Sequence, residues 1–170
     1  MSNDNHLMYG GLLAAAVVIA LYVHTWRNER KSLGHNPAPA DNGTLNLRLG
    51  AYERLVLLAE RIALPSLVSR IPAGDLTVRQ FQTLLTEQVR QEFDHNLSQQ
   101  IYVSPQAWQA VGNLKEQNIF IINKVAETLP PQEKGVELSR RILELVNSDP
   151  KVSLHPIVLE ALNFEARKLL

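Results

Sequence analysis

The chain has no cysteine, which removes disulfides, thiolate chemistry and a lipoprotein anchor from consideration and fits a domain in a reducing compartment. It has no excess of charge of either sign: 17 Lys plus Arg stand against 17 Asp plus Glu, so no basic surplus draws it onto nucleic acid. No Gly-x-Ser-x-Gly elbow and no Gly-rich phosphate loop occur, and acyl or phosphoryl transfer therefore carries no mark. His6, His24, His35 and His155 do not pair at ligand spacing, and Glu92 with His95 forms a single Glu-x-x-His where a di-iron bundle needs two. No stretch alternates with the period of a strand. The expectation is a chain with no enzymatic activity, no metal and no cofactor.

What the chain does have is one long apolar run. Leu7 to Val23, LMYGGLLAAAVVIALYV, holds no charge across 17 residues and reaches the short end of what crosses a hydrocarbon core as a helix. Trp26, Arg27, Arg30 and Lys31 follow as membrane-edge anchors. A cleaved signal peptide would want a basic start, whereas residues 1–6, MSNDNH, carry only Asp4; and His24, Thr25 and Trp26 stand where a small-x-small cleavage site would lie. The reading is a transmembrane signal anchor over residues 7–26, against a cleaved signal or a helix buried in a partner. Basic residues stay on the cytoplasmic side, so the N-terminus is expected outside and the following domain in the cytoplasm. Gly10 with Ala14, Gly11 with Ala15 and Ala16 with Ala20 have the small-xxx-small spacing that permits close helix pairing in lipid, with lipid-facing filler as the plainer reading.

Residues 27–44 read as a basic flank and flexible tether, since SLGHNPAPADNGT holds two prolines and two glycines and almost nothing apolar. From residue 45 to 170 the pattern is helix after helix. Leu49, Tyr52, Leu55, Val56, Ala59 and Ile62 form one face of a helix that Pro65 is expected to end, with SLVSRIP as a single turn after it. The consecutive Leu55, Val56, Leu57 and Leu58 predict burial on both flanks, by neighbours, a second copy or membrane. Arg48, Glu53, Arg54, Glu60 and Arg61 read as its solvated face. Thr77 with Gln80 makes a capping box. Phe81, Leu85, Val89, Phe93, Leu97 and Ile101 form the stripe of one helix, and Ser104 before Pro105 caps the next. That helix carries Trp108, Val111, Leu114, Ile121, Ile122, Val125 and Leu129 to the stop at Pro130. Helices around Val136 to Asn147 and Pro156 to Leu170 complete an all-α fold, roughly a five-helix bundle behind an N-terminal transmembrane helix.

The densest polar and aromatic cluster runs from Gln91 to Trp108. On a continuous helix Glu92, His95, Asn96 and Gln99 fall at i, i+3, i+4 and i+7 and share a face; Gln100, Tyr102 and Trp108 complete the candidate cluster. Such groups bond a neighbouring helix or a helix end, or they meet a partner; a small-ligand or catalytic site is the third reading.

Two segments, LRLGAYERLVLLAERI from Leu47 to Ile62 and EFDHNLSQQIYVSPQAW from Glu92 to Trp108, resemble an uncharacterised family of small bacterial single-span membrane proteins. The resemblance implies this order of parts, tail, span, tether and helical domain, and an inner-membrane location; it brings no catalytic or binding residue. The expected function is a membrane-anchored scaffold or accessory interaction module, with lipid contacts through the anchor and a protein partner or homo-oligomer. The alternative is a membrane-tethered sensor or carrier that binds a small apolar ligand between its helices.

Overall fold

A computed structural model describes residues 42–149 and 152–170. The apolar run, its basic flank and the anchors Trp26, Arg27, Arg30 and Lys31 lie outside the described residues. No described helix is long and apolar enough to cross a membrane.

Six α-helices form the domain: α1 Asn42–Ile62, α2 Leu64–Arg70, α3 Val78–Asp94, α4 Pro105–Glu127, α5 Gly135–Ser148 and α6 His155–Arg167, with a 3₁₀ turn, Leu97–Ile101, between α3 and α4. Among the described residues no strand occurs; Thr77 and Lys134 make an isolated antiparallel bridge. The all-α class therefore stands. Asn42, Gly43 and Thr44, expected in the tether, are the first turn of α1.

The first helix stops just before Pro65 as expected, and a new helix starts at once. Pro65 sits in the first turn of α2, where its missing N–H is no loss, while α1 has already ended at Ile62. The missing donor leaves the Arg61 carbonyl free, and Arg70 Nη2 takes it at 3.1 Å. Asn118 Nδ2, from the middle of α4, takes the Ile62 carbonyl at 2.7 Å. SLVSRIP is thus no loose turn: Leu64, Leu67 and Val68 bury one side of a seven-residue helix.

Thr77 caps α3 with the full reciprocal box to Gln80. The next donors are met from outside the helix: Val78 N–H donates to the Glu133 carbonyl at 2.8 Å and Arg79 N–H to that of Pro131 at 3.2 Å. Gly135 N–H returns a bond to the Leu76 carbonyl at 2.7 Å, so α3 and α5 start side by side. Only glycine fits there. A Cβ on Gly135 would lie 2.9 Å from Phe81 Cβ and 3.0 Å from the Leu76 oxygen.

The longest helix, α4, is the hub and packs against α1, α3, α5 and α6. Val111, Leu114, Ile121 and Ile122 are buried as expected, together with Ala107, Ala110, Asn118, Ile119 and Ala126, while Trp108, Val125 and Leu129 are only half-buried. On α1 the core takes Ala51, Tyr52, Leu55, Leu58, Ala59 and Ile62; Leu57 is exposed, so neighbours cover this helix on one flank rather than two. The closing helix α6 lies antiparallel to α1: His155 stands beside Glu60, and Glu165 beside Tyr52. Between those ends Val158, Ala161 and Leu162 are buried.

Candidate interaction site

The stripe on α3 does not continue to Ile101. Phe81, Leu85, Val89 and Phe93 are buried, but the helix ends at Asp94, and Leu97 and Ile101 sit in the 3₁₀ turn with their side chains exposed. Side chains at the end of the helix supply the stop. His95 Nδ1 lies 2.7 Å from the Gln91 carbonyl, a contact that places its proton on Nδ1. Asn96 Nδ2 donates to the Glu92 carbonyl at 2.8 Å. The Glu92 carbonyl, which the next helical N–H would have used, is thereby occupied, and Asn96 N–H turns to the Phe93 carbonyl at 2.9 Å; the Gln91 carbonyl keeps its helical bond from His95 N–H at 3.0 Å beside the ring contact.

Glu92, His95, Asn96 and Gln99 consequently do not share a face. Glu92 turns toward α1 and α2, where Arg61 grips it with two bonds, Nε to Oε2 at 2.7 Å and Nη2 to Oε1 at 2.6 Å, and Arg70 Nη1 adds a third at 2.9 Å. The Arg61 hydrogen bonds, with help from Arg70 and against partial burial, hold the Glu92 carboxyl at about 2. A carboxylate so held is no free base and no open metal ligand. His95 and Gln100 face solvent, whereas Gln99 is buried and donates to Ser98 Oγ at 3.1 Å. Trp108 packs on Phe93, ring centroids 4.8 Å apart and 35° between planes, and Lys115 Nζ lies 4.6 Å from the Phe93 centroid on the ring's face. Of the expected cluster, Glu92, Asn96, Gln99 and Trp108 serve the framework; His95, Gln100 and Tyr102 reach the surface.

Beneath this surface lies a polar ring that no local pattern announces. Tyr52 OH donates to Glu165 Oε2 at 2.7 Å; the Ser104 hydroxyl donates to the same oxygen; and Ser104 N–H donates to the Tyr52 oxygen at 3.2 Å. Ser104 Oγ still accepts from Ala107 N–H at 3.0 Å, so the residue caps α4 and closes the ring at once. Burial first, and donation to Glu165 second, push the Tyr52 phenol up. The Ser104–Pro105 cap was legible, but its two partners come from the far ends of the domain.

Elsewhere an open groove of about 490 Å³ runs between α3 and the end of α4, lined by Arg79, Gln82, Thr83, Thr86, Glu127 and Leu129 among others. Its polar groups are engaged internally: Gln82 donates to Asn123, Thr83 to the Arg79 carbonyl and Thr86 to the Thr83 carbonyl. Among the described residues no three His, Asp or Glu side chains gather as a metal site.

A family model for a family of unknown function, DUF7935, matches residues 6–169. The chain belongs to the DUF7935 family. The match takes in both the N-terminal apolar run and the whole helical domain, so the two parts are features of one family pattern. No curated protein and no solved structure matches the chain.

Proposed function

We propose that this DUF7935 chain is a membrane-anchored helical module of the bacterial inner membrane whose cytoplasmic domain docks a protein partner. The observation that carries the reading is the apolar crest of the 3₁₀ turn: Leu97 is 44 % exposed, Ile101 73 % and Tyr102 37 %, on a turn bonded at both ends. Fixed, solvent-facing apolar side chains beside polar His95 and Gln100 give the mix of apolar centre and polar rim found at interfaces. The run from Leu7 to Val23 with Arg27, Arg30 and Lys31 behind it supplies the anchor, and confinement at the membrane raises the local concentration of the domain near a membrane complex.

The rival, a carrier with an apolar ligand between its helices, would turn His95 or Tyr102 inward toward a cavity. Both are exposed, and the interior is filled by side chains such as Phe81, Leu85, Leu114 and Ile122, which favours docking.

The test is capture of tagged full-length protein from its own cells after mild detergent extraction, beside Ile101→Asp. Recovery of a defined complex with the wild-type chain and its loss with the variant is the expected result. A complex that ignores the substitution, or no complex, would overturn the assignment of the turn. Alkaline carbonate extraction should leave the full-length chain in the membrane pellet; its release would remove the anchor from the proposal.

A further inference from the structure

The docking turn is tied to its two sides unequally. At its entrance Asn96 and His95 bond only carbonyls of α3, the helix that leads into it. At its exit, the described hydrogen bonds to distant elements all pass through Ser104: its N–H to Tyr52 of α1 and its hydroxyl to Glu165 of α6. Glu165 is the shared acceptor. Without its carboxylate, the Tyr52 and Ser104 hydroxyls would be two half-buried donors with no common partner, and the hydroxyl that caps α4 would lose its own restraint.

Helix α6 is thirteen residues long and packs on α1 and α4, burying Val158, Ala161 and Leu162. Polar contacts close both of its ends: Glu165 to Tyr52 at one end, and at the other His155 Nε2 at 3.3 Å from Glu60 Oε2, with Leu154 N–H on Gln117 Oε1 at 2.8 Å. His155 Nε2 is buried and makes no well-aligned hydrogen bond, so that end is incompletely satisfied. Single elements open locally at free energies below that of global unfolding, most readily where their polar contacts are incomplete.

We infer that α6 is a regulatory strap for the docking turn: while its last helical turn is seated on α1, Glu165 holds Ser104 and fixes the Leu97–Tyr102 crest, and when α6 lifts the crest is released. The inference rests on the turn being the docking surface, and it gives that surface a switch in the C-terminal helix. Glu165 is a positioning residue, acting on the crest through Ser104.

Hydrogen exchange of the full-length chain in mild detergent, followed by mass spectrometry, tests it with Glu165→Gln, the milder Tyr52→Phe and the exposed control Glu160→Gln. The expected result is exchange about tenfold faster in peptides covering 97–104 and in α6 for the first two variants, with α3 and α5 unchanged and the control like wild type. Faster exchange in α6 with an unchanged 97–104 segment would overturn the coupling, as would a uniform rise across all helices. No partner is present in this measurement. A captured complex that survives Ile101→Asp, or no complex with the wild-type chain, would therefore sink the docking reading and leave the exchange result standing, while flat exchange would sink the strap and leave docking intact.

Discussion

Tyr52 in the first helix and Glu165 in the last, 113 residues apart in the chain, meet at 2.7 Å, and Ser104 at the head of α4 closes the contact into a ring. Three elements that share no local sequence signal are joined at one carboxylate oxygen. Replacing Tyr52 by Phe keeps the buried ring and deletes the hydroxyl, which strands the Ser104 N–H and takes one donor from Glu165. A loss of about 1–2 kcal/mol is expected, read as a lower midpoint at unchanged slope in urea unfolding of the full-length chain. A midpoint equal to wild type would show that water replaces the hydroxyl at no cost.

Asn118 poses the same question in the core. It is fully buried, and its amide closes the Ile62 carbonyl that α1 leaves open where the chain turns into α2. Asn118→Leu fills nearly the same volume but leaves that carbonyl without a donor, and should cost about 1–3 kcal/mol. Asn118→Asp should be worse near neutral pH than in mild acid, because an ionised carboxylate would face the Ile62 oxygen with no hydrogen to offer. Urea midpoints at pH 5 and pH 8 separate the two effects; equal losses at both would point to packing alone.

Acid should weaken the junction of α1, α2 and α3 through Glu92. The folded chain holds this carboxyl at about 2, chiefly through the Arg61 hydrogen bonds, below the ordinary 4.5. A depressed acid binds its proton more weakly folded than unfolded, so its contribution is complete above about pH 4.5 and fades as pH falls toward 2. Arg61 is more than half exposed, and solvent screening brings the contribution to about 1 kcal/mol. The expected outcome is that wild type and Glu92→Gln differ by this much at pH 7 and converge near pH 2. A difference that persists at pH 2 would assign the effect to packing instead of charge.

The neighbouring starts of α3 and α5 admit a steric test. Gly135→Ala would put a methyl group 2.9 Å from Phe81 Cβ and 3.0 Å from a backbone oxygen, forcing the two helix starts apart. Although alanine suits helices better than glycine by about 1 kcal/mol, the clash should win and give a net loss of about 1–3 kcal/mol. Gly112, around which a Cβ meets nothing within 4 Å, is the matched control, and Gly112→Ala should stabilise. Thermal unfolding of the pair side by side reads the sign of each.

Legibility in the sequence followed the range of the interaction. Thr77 with Gln80, Ser104 with Pro105 and the helices α5 and α6 were readable because a cap or a helical period is complete within a few residues. Asn118 was not, because its partner exists only where Pro65 breaks the chain near Ile62. The four-residue spacing from Phe81 to Ile101 misled for a physical reason. Leu97 and Ile101 keep the period, yet the side chain of Asn96 takes the Glu92 carbonyl the helix would need to continue. What looked like the end of a core stripe is an exposed crest.

That crest gives the final prediction, in which stability and function separate. Ile101 is 73 % exposed, so Ile101→Asp removes little buried surface and should shift the unfolding midpoint by no more than about 0.5 kcal/mol. At a docking surface the same change places a charge where apolar contact is needed, and loss of the captured complex is expected. Val136 is a control of similar exposure, 58 %, at the start of α5, so Val136→Asp should be equally mild in stability and should retain the complex. If both substitutions released the partner, general surface charge would be responsible. Release by Ile101→Asp alone would assign the contact to the turn between α3 and α4.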